Sequence, residues 1–158
     1  MKTYSVTMLI LLLAVVVFAG AGKVDFSGEW LHNAEKSDYS EWGTTNKITI
    51  KQDKKQITFI REVASNMGDY TDQETITLDG EKCDSENERV RRTSVAAWSE
   101  DGKTLNIKSD VYVLAFDIEV TAETNINLAE EGKVMLVDYS IDTPEGIMEL
   151  KLHFDKQQ

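Results

Sequence analysis

Polar and apolar residues alternate along most of the chain, and the alternation predicts strands. Ile48 and Ile50 alternate in NKITIKQ, Ile57 and Phe59 in QITFIRE, Ile76 and Leu78 in ETITL, and Leu105 and Ile107 in KTLNIK. In FDIEVTAETNINL, Phe116, Ile118, Val120, Ala122, Ile126 and Leu128 share one parity, while Asp117, Glu119, Thr121, Glu123, Asn125 and Asn127 share the other. Met148, Leu150, Leu152 and Phe154 repeat the theme against Glu149, Lys151, His153 and Asp155. A period of two sends successive side chains to opposite faces, so each run is a strand with one buried and one wet face. No segment carries a comparable helical stripe.

Reverse-turn signals separate these runs: Asp53-Lys54-Lys55, Asp79-Gly80, Asp101-Gly102, Glu131-Gly132 and Glu145-Gly146. An acidic residue before glycine suits tight hairpins, because glycine takes positive φ without steric cost. Links this short join antiparallel neighbours. A one-sided sheet without helices to cover it must close on itself, which also removes exposed edges. The expected fold is all-β: an antiparallel up-and-down β-barrel of about 8–10 strands, with a two-sheet β-sandwich as the alternative. The stretch from Asn33 to Thr45 is irregular and is expected to hold a short helical turn or a lid.

The first residues read differently. Met8 to Phe18 is an uninterrupted apolar run, followed by the small residues Ala19, Gly20 and Ala21. The run is shorter than the roughly 20 residues that a membrane-spanning helix needs. It reads as a secretory signal peptide over 1–21, with 22–158 as one mature domain and no membrane span after cleavage. The expected location is exported, periplasmic or secreted. The single cysteine, Cys83, cannot form an internal disulfide, so stability must come from burial and backbone pairing. A formal net charge of −11 makes nucleic acid and anionic membrane surfaces poor partners.

At the start of the mature part the chain reads Val24-Asp25-Phe26-Ser27-Gly28-Glu29-Trp30, followed by Asn33-Ala34-Glu35-Lys36-Ser37-Asp38. This segment resembles the opening of a group of small bacterial exported proteins described as lipocalin-like. Gly28-Glu29-Trp30 also resembles the Gly-x-Trp of the lipocalins, and Trp98 to Leu105 resembles a hairpin of the bacterial group. The resemblance implies a barrel with Trp30 plugging one end and an interior able to hold a small apolar ligand. Lipocalins place an arginine late in the chain to stack on that tryptophan. No arginine follows Arg92 here, so Lys151 or Lys156 is expected to cover the ring.

The candidate chemistry is sparse. His32 shares the parity of Trp30 and His153 the opposite one, so a shared metal site is not expected, and no other metal site is. In Arg89-Val90-Arg91-Arg92, the basic run of an acidic chain, Arg92 shares a face with Val90, Ser94, Ala96 and Trp98. Small residues at 94 and 96 leave room, and an inward guanidinium must pair with a carboxylate of the protein or of a ligand. Asp38, Glu41, Asp69 and Asp72 fall in expected loops, where a solvated surface position is the reading preferred over calcium binding. Tyr39, Trp42 and Tyr70 lie near irregular connections and are expected to pack beneath them, with a ring around a pocket mouth as the alternative. No nucleophile motif, phosphate loop or zinc spacing is present, so neither an enzyme nor a cofactor is expected.

These readings lead to a binding protein for a small apolar or amphipathic ligand. Trp30, Phe59, Arg92, Ser94, Ala96 and Trp98 are its expected interior positions. The alternative is a structural or protein-interaction barrel with a packed core, acting through its loops on a partner the sequence does not specify.

Overall fold

The computed structural model describes residues 22–158; the expected signal segment lies outside them. Ten strands follow one another: β1 (Gly28–His32), β2 (Thr44–Gln52), β3 (Gln56–Ala64), β4 (Tyr70–Thr77) and β5 (Cys83–Glu86). They continue as β6 (Val90–Trp98), β7 (Leu105–Val113), β8 (Ile118–Ala129), β9 (Val134–Thr143) and β10 (Gly146–Lys156). All ten belong to one antiparallel sheet in the order β4-β3-β2-β1-β10-β9-β8-β7-β6-β5. That order is an up-and-down meander whose first strand pairs with both its neighbour and its last strand, with Trp30 opposite Ile48 and Lys156. The single ring decides for the barrel over the sandwich. Only β4 and β5 lack a partner on one side, and they face each other across a seam. The described residues contain no α-helix; one 3-10 turn, Glu130–Gly132, links β8 to β9.

Four of the five turn signals fall between strands, at β2–β3, β4–β5, β6–β7 and β8–β9, and Glu145-Gly146 joins the β9–β10 turn to the first residue of β10. One expectation fails locally. Phe116 is not a strand residue: Leu114 to Asp117 turn between β7 and β8, Asp117 adopts φ 54°, and Phe116 is half exposed. Strand alternation ran on through a turn because no glycine marks it. The connection from Asn33 to Gly43 holds turns and no helix. It is laid along β10 instead, where Asp38 N–H donates to the Lys151 carbonyl and Ser37 Oγ accepts from His153 N–H.

One end of the barrel is packed shut. Phe26, Trp30, Phe59 and Phe154 are fully buried there among Ile48, Ile50, Ile57, Ile76, Leu105 and Met135. The segment before β1 closes the floor: Val24 N–H donates to the Gly102 carbonyl, and Gln52 holds both Phe26 N–H and the Val24 carbonyl. The Trp30 indole N–H donates to the Phe26 carbonyl at 2.9 Å. Lys156, one of the two late lysines expected there, covers that ring with its Nζ 5.1 Å from the centroid.

The same lysine explains the glycine of Gly-x-Trp. Gly28 has φ 140°, and a Cβ there would lie 3.0 Å from Lys156 Cε. Gly28→Ala is expected to lower unfolding stability by about 1–3 kcal/mol, through backbone strain and a displaced lysine. Urea denaturation measures it; an unchanged midpoint would show that neither constraint matters.

Candidate functional site

The opposite end is built differently. Strand order places the β1–β2, β3–β4, β5–β6, β7–β8 and β9–β10 connections together around this mouth. Below it, the inward parity continues as apolar residues that are only partly buried: Val63, Val90, Val111, Ile118, Ile141 and Leu150. Their counterparts on the same faces toward the floor, such as Phe59, Ala96, Ile107 and Phe154, are buried. Burial of the inward side chains thus falls from the floor toward the mouth, with Val120 and Ala122 on β8 still buried. Large exposed apolar side chains mark the rim. Tyr39 and Trp42 stand on the β1–β2 connection, Met67 on β3–β4, Phe116 on β7–β8 and Ile147 beside the β9–β10 turn.

On the mouth side of the packed core lies a buried polar cluster, held by β3, β4, β6 and β7. Asp72 and Glu74 alternate inward with Ile76 and are 5% and 4% exposed. Arg61 on β3 donates to Asp72 at 2.9 Å and to Glu74 at 3.1 Å. Arg92, across the seam on β6, reaches the same two carboxylates at 3.3 and 3.0 Å. Ser94 Oγ donates to Glu74 Oε1 at 2.5 Å and lies 2.8 Å from Ser109 Oγ, while Asn87 donates to Asp72 Oδ1 at 2.8 Å. Every carboxylate oxygen of the cluster is therefore partnered, as burial of charge requires.

The cluster also closes the barrel. β4 and β5 share no backbone ladder, and side chains bridge them: Arg92 and Ser94 reach Glu74, and Asn87 reaches Asp72. Arg89 lies 4.2 Å over the Tyr70 ring, and Thr77 N–H approaches Cys83 Sγ at 3.2 Å.

The protein is similar in fold to a solved structure of the zebrafish ileal bile acid-binding protein complexed with cholic acid. The two share 12% identity with a TM-score of 0.56, over 84% of this chain and 98% of that one. The likeness is one of fold: a lipocalin-like barrel. No protein-family model matches the chain, and no curated protein matches it.

Within this barrel the expected interior positions take different places. Trp30, Phe59 and Ala96 lie in the packed half, at 0%, 1% and 1% exposure. Ser94 and Arg92 belong to the cluster, and Arg92 finds its counter-charge in Asp72 and Glu74. Trp98 is half-buried near the floor, stacked on Phe26 with centroids 5.8 Å apart. Its buried indole N–H has no hydrogen-bond partner among the described residues. An unpaired buried donor costs about 1–3 kcal/mol. Trp98→Phe removes it while keeping a stackable ring, and is expected to change stability by less than about 1 kcal/mol. A thermal melt checks this, and a large loss would mean that the indole N–H is satisfied in solution.

Other positions depart from expectation. Asp72 is a buried strand residue of the cluster, not a solvated loop carboxylate. Tyr39 and Trp42 do not pack beneath their loop: they are 82% and 58% exposed. His32 packs 5.5 Å from the Phe154 ring, and burial holds its pKa below the ordinary value. Among the described residues no group of three or more His, Cys, Asp or Glu is arranged to hold a metal ion.

Sequence reasoning missed Arg61, Glu74 and Tyr139, and placed Asp72 in a loop. Three of them carry a readable signal: a charge at the parity of Ile57 and Phe59, or at that of Ile76, points inward. Tyr139 faces inward from β9 beside Ile141 and Val137, and its hydroxyl makes no hydrogen bond to the described residues. Burial pushes its pKa up, against the opposing pull of Arg92 and Arg61. It therefore remains a hydroxyl donor near neutral pH.

A separate open concavity of about 950 Å³ crosses β5 to β9 between two rows of outward residues. Asp84, Asp110 and Asp142 mark one row, and Glu86, Arg91 and Glu119 the other. It is charged and shallow, on the opposite face of the sheet from the lumen. Ligand sites of the apolar kind are mostly hydrophobic, unlike this charged lining.

Proposed function

We propose that the chain is an exported binding protein that holds a small apolar or amphipathic ligand in the open half of its barrel, without covalent chemistry. The observation that carries this reading is the division of one interior into two parts. Apolar inward residues reach solvent toward the mouth, and beside them, with Val111 paired to Arg92, stand the buried groups of Arg61, Asp72, Glu74 and Arg92. Such a space suits a ligand with an apolar body and one polar end, the usual composition of a small-molecule site. The exposed Tyr39, Trp42, Met67 and Phe116 give it an apolar entrance. A barrel of similar fold is known in complex with cholic acid, which supports a small-molecule ligand.

Of the interior positions read from sequence, Arg92 and Ser94 serve as the polar base of the ligand space. Trp30, Phe59, Ala96 and Trp98 are the floor that supports it. Export rests on the apolar run from Met8 to Phe18 and the small residues after it. The same exposed rim favours a second reading, a barrel that meets a protein partner through its loops.

The two separate on titration with N-phenyl-1-naphthylamine, a neutral dye that brightens in apolar surroundings. The carrier reading expects saturable brightening, lost in Val111→Trp, which fills the open half from an inward position, and retained in Trp42→Ser. Brightening lost with Trp42 and kept with the filled lumen would favour the loops.

A further inference from the structure

The charge balance of the cluster narrows the ligand class. This step rests on the carrier reading above. Asp72 and Glu74 bring two negative charges, and Arg61 and Arg92 bring two positive ones. Both guanidinium groups are directed at these carboxylates, so no cation in the cluster is left for an incoming anion. A ligand carboxylate entering here would leave water and meet two buried carboxylates, and burying a charge without a free counter-charge is strongly disfavoured. Arg89 is the other cation at the seam, and it stands toward the rim, stacked on Tyr70. The group left with bonding capacity is neutral: the inward Tyr139 hydroxyl of β9, within electrostatic reach of Arg92 and Arg61, with no hydrogen bond to the described residues.

We propose that the lumen selects a neutral amphiphile, an apolar chain or ring system bearing an uncharged oxygen that accepts from the Tyr139 hydroxyl, and that it discriminates against the corresponding carboxylate. The polar base then sets specificity by refusing a second anion. The Tyr139 donor fixes the orientation of the accepted molecule.

Displacement of bound N-phenyl-1-naphthylamine by 1-tetradecanol and by tetradecanoate tests this on the mature chain. At about pH 8 the acid is ionised and the phenol is not. The alcohol is expected to displace the dye at a concentration about tenfold lower than the acid. Tyr139→Phe is expected to weaken the alcohol by about fivefold relative to the dye, the worth of one hydrogen bond. Equal or tighter binding of tetradecanoate would overturn the inference while leaving the carrier reading in place. An alcohol affinity indifferent to Tyr139→Phe would remove the assigned donor and overturn it as well. If neither the dye nor either competitor binds, the carrier reading fails, and this inference with it.

Discussion

Glu74→Ala is expected to cost the folded protein about 3–5 kcal/mol, the usual penalty for removing one partner from a buried ion pair. The magnitude follows from what the carboxylate holds. Glu74 accepts from Arg61, Arg92 and Ser94, and two of those bonds cross a seam that has no backbone ladder. Its loss leaves two guanidinium groups sharing Asp72 alone, inside the barrel. With total stabilities of about 5–15 kcal/mol for domains of this kind, such a change brings the protein near unfolding. The double variant Glu74→Leu, Arg92→Met distinguishes a charge effect from a packing effect. It leaves Arg61 paired with Asp72 at 2.9 Å and fills the vacated volume with apolar groups. Exchanging a buried pair for hydrophobic residues is often neutral or stabilising, so the double variant is expected to regain most of the loss. A single variant that costs under about 1 kcal/mol in urea denaturation would show that the cluster does not hold the seam.

Trp30→Ala is the second large effect, expected at about 3–5 kcal/mol. Trp30 is fully buried, its indole N–H bonds the Phe26 carbonyl, and its ring carries the Lys156 side chain. Truncation opens a cavity in the floor and orphans a carbonyl in the segment that seals it. Trp30→Phe keeps most of the ring and loses the donor, so it is expected to cost about 1–3 kcal/mol, chiefly for the unpaired carbonyl. If both variants melt together with the parent chain, the floor is not the packed half of the barrel.

The fold was legible because alternation is a direct image of a sheet with two unlike faces. Ile57 and Phe59, Leu105 and Ile107, and Met148 to Phe154 all fell in strands, and the Asp-Gly and Glu-Gly pairs fell at the turns that join them. The failures occurred where local pattern and chain path part company. Phe116 continued the parity of Ile118, yet Asp117 turns through φ 54° without a glycine to announce it. The Asn33–Gly43 connection lacks any period because its order comes from β10, over 110 residues away, through Ser37 and Asp38.

The candidate site was half legible. Arg92 stood out as a cation on an apolar face. Its partners did not, because Asp72 and Glu74 lie about 20 residues earlier on a strand that meets β6 only when the ring closes. Parity alone shows that they point inward. Which inward charges meet depends on strand order, and sequence pattern does not carry the seam between β4 and β5.

Native mass spectrometry of the mature chain, purified gently from its own source and then extracted under denaturing conditions, tests the central claim most directly. The expected spectrum shows the chain beginning at Gly22, carrying one equivalent of a small molecule that is released on unfolding. A bare chain in every preparation, together with no brightening of N-phenyl-1-naphthylamine, would contradict the carrier reading and leave the rim of exposed side chains as the functional surface.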